Sequence, residues 1–331
     1  MLNKVVAIGV GLAVAALFWF GLSKVNFFQV IDVKKGQQER LTQTSLWSAK
    51  AELPSPRTEL AVAELDGKIY AIGGFNQFGQ GSATVERYDP TTDRWETLPD
   101  LPQPVHHAAM APVGGKLYVA GGFGGIAFRP TSRAFVYDPA KNSWEEIASM
   151  TTQRGALALV EISGKLYAVG GTNDSGDLGT LEIYDPATNR WQTKQPMPTS
   201  RNHLAAVNLD GRLYVLCGRK PNPANNLATL EIYDPTDDSW TKGPDAPQPT
   251  SGHAAAVLNG KIYVFGGESA DQTFDKVQIF DRQTNSWSFG DPMPTARHGL
   301  GAATIDDHIF VIAGGPKPGL TVSGANEIFN P

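Results

Sequence analysis

The 331-residue chain has a single cysteine, Cys217, so no internal disulfide can form and cysteine usage does not identify its compartment. It has no acidic or basic run. Twenty-eight Lys and Arg against 33 Asp and Glu give a net charge of −5 spread along the sequence, which argues against nucleic acid as a partner, since such binders present a basic face. There is no HExxH or paired-cysteine motif, no phosphate-binding glycine loop and no nucleophile-base pair. Neither a cofactor nor a metal is therefore expected, and the chain is expected to perform no chemistry.

Long apolar runs are also scarce, with one exception. Residues 5–22 carry no charge or strongly polar side chain and end at Ser23-Lys24. Eighteen such residues just suffice to cross a hydrocarbon core as a helix. A cleaved signal peptide usually has a shorter apolar region and a small-x-small cleavage site, which Phe18-Trp19-Phe20-Gly21-Leu22 does not provide. We expect an uncleaved transmembrane anchor over residues 1–22, a polar tether over 23–42 and a folded domain over 43–331. Orientation is contested: Lys24, Lys34, Lys35 and Arg40 outnumber Lys4 across the segment, which does not favour export, whereas a leading apolar segment is the usual export device. The expectation is an extracytoplasmic, periplasmic domain.

What the sequence has in abundance is repetition. Glycine pairs stand at Gly73-Gly74, Gly121-Gly122, Gly170-Gly171, Gly266-Gly267 and Gly314-Gly315, with Cys217-Gly218 in the remaining slot. Aromatic-Asp or aromatic-Asn steps follow at Tyr88, Tyr137, Tyr184, Tyr233, Phe280 and Phe329, separated by 49, 47, 49, 47 and 49 residues. Seven residues beyond each of the first five stands Trp95, Trp144, Trp191, Trp240 or Trp287. Within the first unit, residues 60–64 read as an inner strand, Asp66-Gly67 as a two-residue hairpin turn, 68–72 as its return, 84–88 as a third strand and 94–98 as an outer strand. Four short strands per repeat, six times over, predict a β-propeller, and 35 Gly and 23 Pro suit its turns.

These units resemble the Kelch repeat family, in which a diglycine is followed by a Tyr and then a Trp about seven residues later. The resemblance covers residues 44–331 and implies an all-β, six-bladed Kelch propeller with four antiparallel strands per blade. It departs at Cys217. Because cysteine tolerates close approach better than positive φ, the first glycine is expected mainly to be small and the second to carry the backbone constraint. The tryptophan of the sixth unit would fall beyond the chain, while Trp47 lies 48 residues before Trp95. The strand around residues 45–49 is thus expected to complete the last blade, covering an open edge and removing about 200 Å² of indole from water.

In Kelch relatives, the loops entering each inner strand and those following the glycine pair form the ligand or partner face. The entry loops carry Arg57, Arg154, Arg201 and Arg297, with Val105 and Ser251 in the equivalent places, and His106, His107, His203, His253 and His298 beside them; His308 falls on the opposite face. Two readings compete. The arginines form a basic ring that accepts carboxylates, or they satisfy carbonyls between blades. Metal ligation is disfavoured because zinc needs nitrogens at about 2.0–2.1 Å and His107 lies two blades from His203.

The loops after the glycines add Phe75, Phe78, Phe128, Arg129, Arg219 and Lys220, residue types that anchor interfaces, although Phe75 and Phe123 would equally serve as blade covers. The leading expectation is a membrane-anchored binding or scaffold module for a protein partner or a small carboxylated ligand. The resemblance to bacterial Kelch proteins of the sialic-acid mutarotase type implies a second, carbohydrate-active reading, for which Glu59, Glu268 and Asp271 are the nearby carboxylates. A third is an accessory subunit of a membrane complex.

Overall fold

The computed structural model describes residues 46–125 and 128–331. The compact unit is Leu46–Pro331; the expected membrane helix and tether lie outside the described residues. Among the described residues, no helix is long and apolar enough to cross a membrane.

Six four-stranded antiparallel sheets follow one another in sequence. The first comprises Ala61–Leu65, Lys68–Ile72, Val85–Asp89 and Arg94–Leu98, within a residue of the expected bounds. Each inner strand descends from an entry loop at one mouth of the channel, turns at a hairpin such as Asp66-Gly67, and returns to the glycine pair. This is an all-β six-bladed propeller.

Its apolar core is six layers, one between each pair of neighbouring blades. Tyr70, Ile72 and Val85 of blade one meet Leu117, Val119 and Tyr137 of blade two, and Ile69, Ala71 and Tyr88 meet Phe310, Ile312 and Ile328 of blade six on the other side. The repeated aromatics hold these layers together. Indole Nε1 of Trp95, Trp144, Trp191, Trp240 and Trp287 donates at 2.7–2.9 Å to a carbonyl leading from the preceding blade. The hydroxyls of Tyr88, Tyr137, Tyr184 and Tyr233 bond an Asp or Asn in the outer hairpin.

Closure follows the expectation from Trp47. Trp47–Ala49 pairs antiparallel with Asn326–Phe329 in the register Trp47 to Phe329. Trp47 is 8% exposed, its ring packs tilted against Phe329 with centroids 4.7 Å apart, and its indole N–H donates to Asp291 O at 3.2 Å. The ring is thus fastened by hydrogen bonds between the two ends of the folded unit.

The glycine pairs require two corrections. In blade six the pair in register is Ala313-Gly314, not Gly314-Gly315, because Ala313 has φ +58° and Gly314 φ +96°. The first position is also not merely small: Cys217 sits at φ +51°, in the left-handed region, which an L-residue occupies at a cost of roughly 1–2 kcal/mol. The second position, at φ +92° to +101°, is glycine in every blade, and its N–H bonds the next blade's entry loop, as Gly74 does Val105 O and Gly122 does Arg154 O, both at 2.9 Å. That position therefore sews blade to blade.

Candidate functional site

The four entry-loop arginines do not form a basic ring at the mouth. Arg57, Arg154, Arg201 and Arg297 are 0–1% exposed. Each ion-pairs with a glutamate on the third strand of its own blade: Glu86 at 2.9 Å, Glu182 at 3.1 Å, Glu231 at 2.5 Å and Glu327 at 2.5 Å. Each also donates to the same second-strand carbonyl, Ala71, Ala168, Val215 or Val311. Burial lowers their pKa values while the facing glutamates oppose the shift, so the guanidiniums remain charged at neutral pH.

The two remaining blades explain the pattern. The residue equivalent to these arginines in blade five is Thr250, not Ser251, since Gly218 N–H bonds Thr250 O. Opposite Val105 the glutamate's place is taken by Phe135, and opposite Thr250 by Gln278. Acid and base change together, so the pairs belong to blade packing.

Two residues beyond each of these positions the backbone turns inward. Glu59, His107, Ala156, His203, Gly252 and Gly299 all have φ between +49° and +62°. The N–H of each donates to the carbonyl of its counterpart in the preceding blade: Glu59 to Gly299 and Gly299 to Gly252 at 2.7 Å, His107 to Glu59 and Ala156 to His107 at 2.9 Å, His203 to Ala156 and Gly252 to His203 at 3.0 Å. These six bonds form a closed annulus around the propeller axis. A cavity of about 100 Å³ lies there, lined by the six annulus residues and the residue after each.

So narrow an annulus overturns the expectation that equivalent positions stand too far apart to meet. His107 and His203, two blades apart, have ring centroids separated by 4.7 Å. The five histidines occupy three successive repeat positions rather than one: His106 and His298 precede the annulus, His107 and His203 lie in it, and His253 follows it.

A circuit of polar side chains results. Glu59 Oε2 is 3.3 Å from His107 Nε2, and Glu59 Oε1 is 3.3 Å from His298 Nδ1. His298 Nδ1 is 3.5 Å from Glu268, which holds Arg219 at 2.7 Å, and Arg219 in turn donates to His203 Nε2 at 2.8 Å. Outside the circuit, His107 Nδ1 meets His106 Nδ1 at 2.6 Å, and His203 Nδ1 meets Asn202 Oδ1 at 2.5 Å while the Asn202 amide donates to Asp177.

The electrostatics follow from burial and these neighbours. Burial opposes ionisation of Glu59, but His107, His298 and His203 together hold its carboxyl well below the usual range. Burial lowers His107 against the pull of Glu59, and burial with Arg219 alongside takes His203 further down. Burial opposes protonation of His298 too, yet contact with Glu59 and the charge of Glu268 raise it, so the imidazolium is favoured there. Burial depresses His106 to about 3 and His253 to about 4. The axis therefore favours neutral imidazoles at His107 and His203, the imidazolium at His298 and the ionised carboxylate at Glu59.

Of the expected site residues, the structure brings His107, His203, His298 and Arg219 together on the axis and leaves His253 just beyond. Phe75 is buried, stacked 3.8 Å from His106, and acts as a cover. Phe78 is 75% and Phe128 47% exposed, Arg129 is exposed and Lys220 half-buried. Phe128 lines a groove of about 510 Å³ with Gly81, Pro104, His106 and Phe123. Asn202 and Asp177 went unnoticed in the sequence; Asn202 occupies the position of His106 and His298, and that alignment was the available clue. Asp271 stays on an exposed loop bonded to Ser269.

A KLHDC2/KLHL20/DRC7 Kelch-repeats domain model matches residues 156–327, and the Kelch motif model matches residues 56–102 and 104–151. The chain belongs to the Kelch repeat family. Among solved structures it is similar to that of YjhT, with a TM-score of 0.74 and 18% identity over 84% of this chain and 96% of that one. No curated protein matches it in sequence.

Proposed function

We propose that this protein is a binding module that holds a segment of a partner protein across the loop-side mouth of its propeller. The observation that carries this reading is Phe128, 47% exposed on a groove of about 510 Å³, with Phe78, 75% exposed, next in the chain to the Gly79, Gln80 and Gly81 that line the same groove. Exposed aromatics beside a concave surface are typical anchors of an interface. The anionic-ligand alternative loses its main support, because the four arginines expected to supply the charge are neutralised within the blades. Residues 5–22 would anchor the module in a membrane with the propeller on the extracytoplasmic side, which a cysteine-accessibility label on an exposed loop of intact cells would test.

The decisive experiment is a pull-down with the full chain from detergent extract, repeated with Phe78→Ser plus Phe128→Ser. A partner captured by the wild type and lost by the double variant, with an unchanged melting temperature, supports the reading. Equal capture by both sinks it.

A second reading, a carbohydrate-active protein of the sialic-acid mutarotase type, draws on Glu59 and His107 at 3.3 Å, a carboxylate beside a neutral imidazole as acid-base transfer requires. Anomer exchange of sialic acid followed by NMR, accelerated by the wild type but not by Glu59→Gln, would favour it.

A further inference from the structure

We propose that Glu59, His107 and His203 form a binding site for one divalent first-row transition ion of the zinc class. One ligand atom from each of the three lies within 4.8 Å of the other two. Bonds of about 2.0–2.2 Å in a tetrahedral site place neighbouring ligand atoms roughly 3.4 Å apart. Glu59 Oε2 and His107 Nε2, at 3.3 Å, already have that spacing. His203 needs to approach by at most about 1.4 Å, within the reach of a side-chain adjustment.

Two imidazoles and one carboxylate suit zinc and its neighbours in the first row, and they leave coordination positions open. The cavity of about 100 Å³ beside them has room for about three waters to fill those positions.

The surroundings orient these ligands as metal sites require. A ligating imidazole must present a bare nitrogen, and a hydrogen bond at its other nitrogen sets which one is bare. His203 donates from Nδ1 to Asn202 Oδ1, and the Asn202 amide is itself held by Asp177, so the lone pair of His203 is on Nε2. His107 meets His106 through Nδ1, which leaves its Nε2 toward Glu59. The backbone annulus bonds Glu59 and His107 directly and reaches His203 through Ala156, fixing the three anchor points.

Arg219 is the competitor. Its guanidinium takes the His203 Nε2 lone pair at 2.8 Å and is also paired with Glu268 at 2.7 Å. An incoming cation displaces the first contact and leaves the second. Removing Arg219 therefore strengthens ion binding, the opposite of what loss of a supporting residue does.

The test uses the full chain stripped with chelator and titrated with Zn²⁺ by calorimetry, and with Co²⁺ as a probe followed by visible absorption. The wild type is expected to take up one equivalent. Glu59→Gln and His203→Asn should each lose at least the 10- to 100-fold that disturbing a supporting residue costs, Arg219→Met should bind several-fold tighter, and His308→Ala, exposed at the opposite end, should match the wild type. Thermal melts in chelator establish folding. If Glu59→Gln fails to fold, Glu59→Gly replaces it, glycine being the residue at that position in blades five and six. No uptake by the wild type, or uptake by the Glu59 and His203 variants at wild-type affinity, overturns the proposal.

Discussion

Two sets of buried polar side chains lie within two residues of each other along the chain, and they obey opposite rules. The Arg-Glu pairs recur in four blades with the same partner and the same accepting carbonyl, and where the arginine is missing so is the glutamate. The annulus positions share a backbone conformation in all six blades, yet their side chains are Glu, His, Ala, His, Gly and Gly. In a repeat protein, what every unit needs is repeated. The pairs belong to the fold, and the annulus offers a fixed frame in which side chains are free to differ. Buried charge alone does not identify a site here; departure from the repeat does.

The largest effect should come from breaking one pair. Arg201→Ala leaves Glu231 buried without a countercharge, with the Thr199 hydroxyl at 2.7 Å as its remaining side-chain donor, and loss of one partner of a buried ion pair typically costs about 3–5 kcal/mol. Denaturant unfolding should register that loss. If the pair serves only packing, replacing both partners as blade two does, with Arg201→Val and Glu231→Phe together, should recover most of it. A double variant as unstable as the single would show that these arginines do more than fill the blade.

That covariation also marks how far the sequence could be read. Blade number, strand bounds and the role of Trp47 were legible because glycine, tyrosine and tryptophan keep register, and register is all that propeller topology requires. The arginines were ambiguous because an Arg at a loop satisfies both readings; pairing Val105 with Phe135 and Thr250 with Gln278 would have resolved them. The meeting of His107 with His203 was not legible. It depends on the annulus, which arises from left-handed residues such as Glu59 and His107 that no local pattern announces.

A smaller effect should separate His253 from the rest of the axis. Leucine holds its position in blades one, three, four and six, so the imidazole is a polar guest in an apolar place. Burial lowers it to about 4, whereas the unfolded chain binds the same proton near 6.5. Its contribution is thus intact above pH 6.5 and falls as the pH drops toward 4. At pH 5 the loss amounts to about 2 kcal/mol. His253→Leu should raise the melting temperature at pH 5 relative to wild type by more than at pH 7.5. An equal change at both pH values would show that His253 takes up its proton as readily in the folded protein as in the unfolded chain, against the depression that burial imposes.

The smallest stability effect is expected where the functional consequence is largest. Glu59→Gly removes contacts with His107 and His298, but it also relieves a left-handed residue at φ +55°, worth roughly 1–2 kcal/mol, and installs the residue that blades five and six already use. The annulus bonds, being backbone, are untouched. The two terms nearly cancel, so unfolding free energy should change by no more than about 1 kcal/mol. A loss as large as that of Arg201→Ala would erase the distinction between the two regions, because it would make the axial carboxylate a structural member. A near-neutral outcome would mean that Glu59 persists at its strained φ for reasons other than folding.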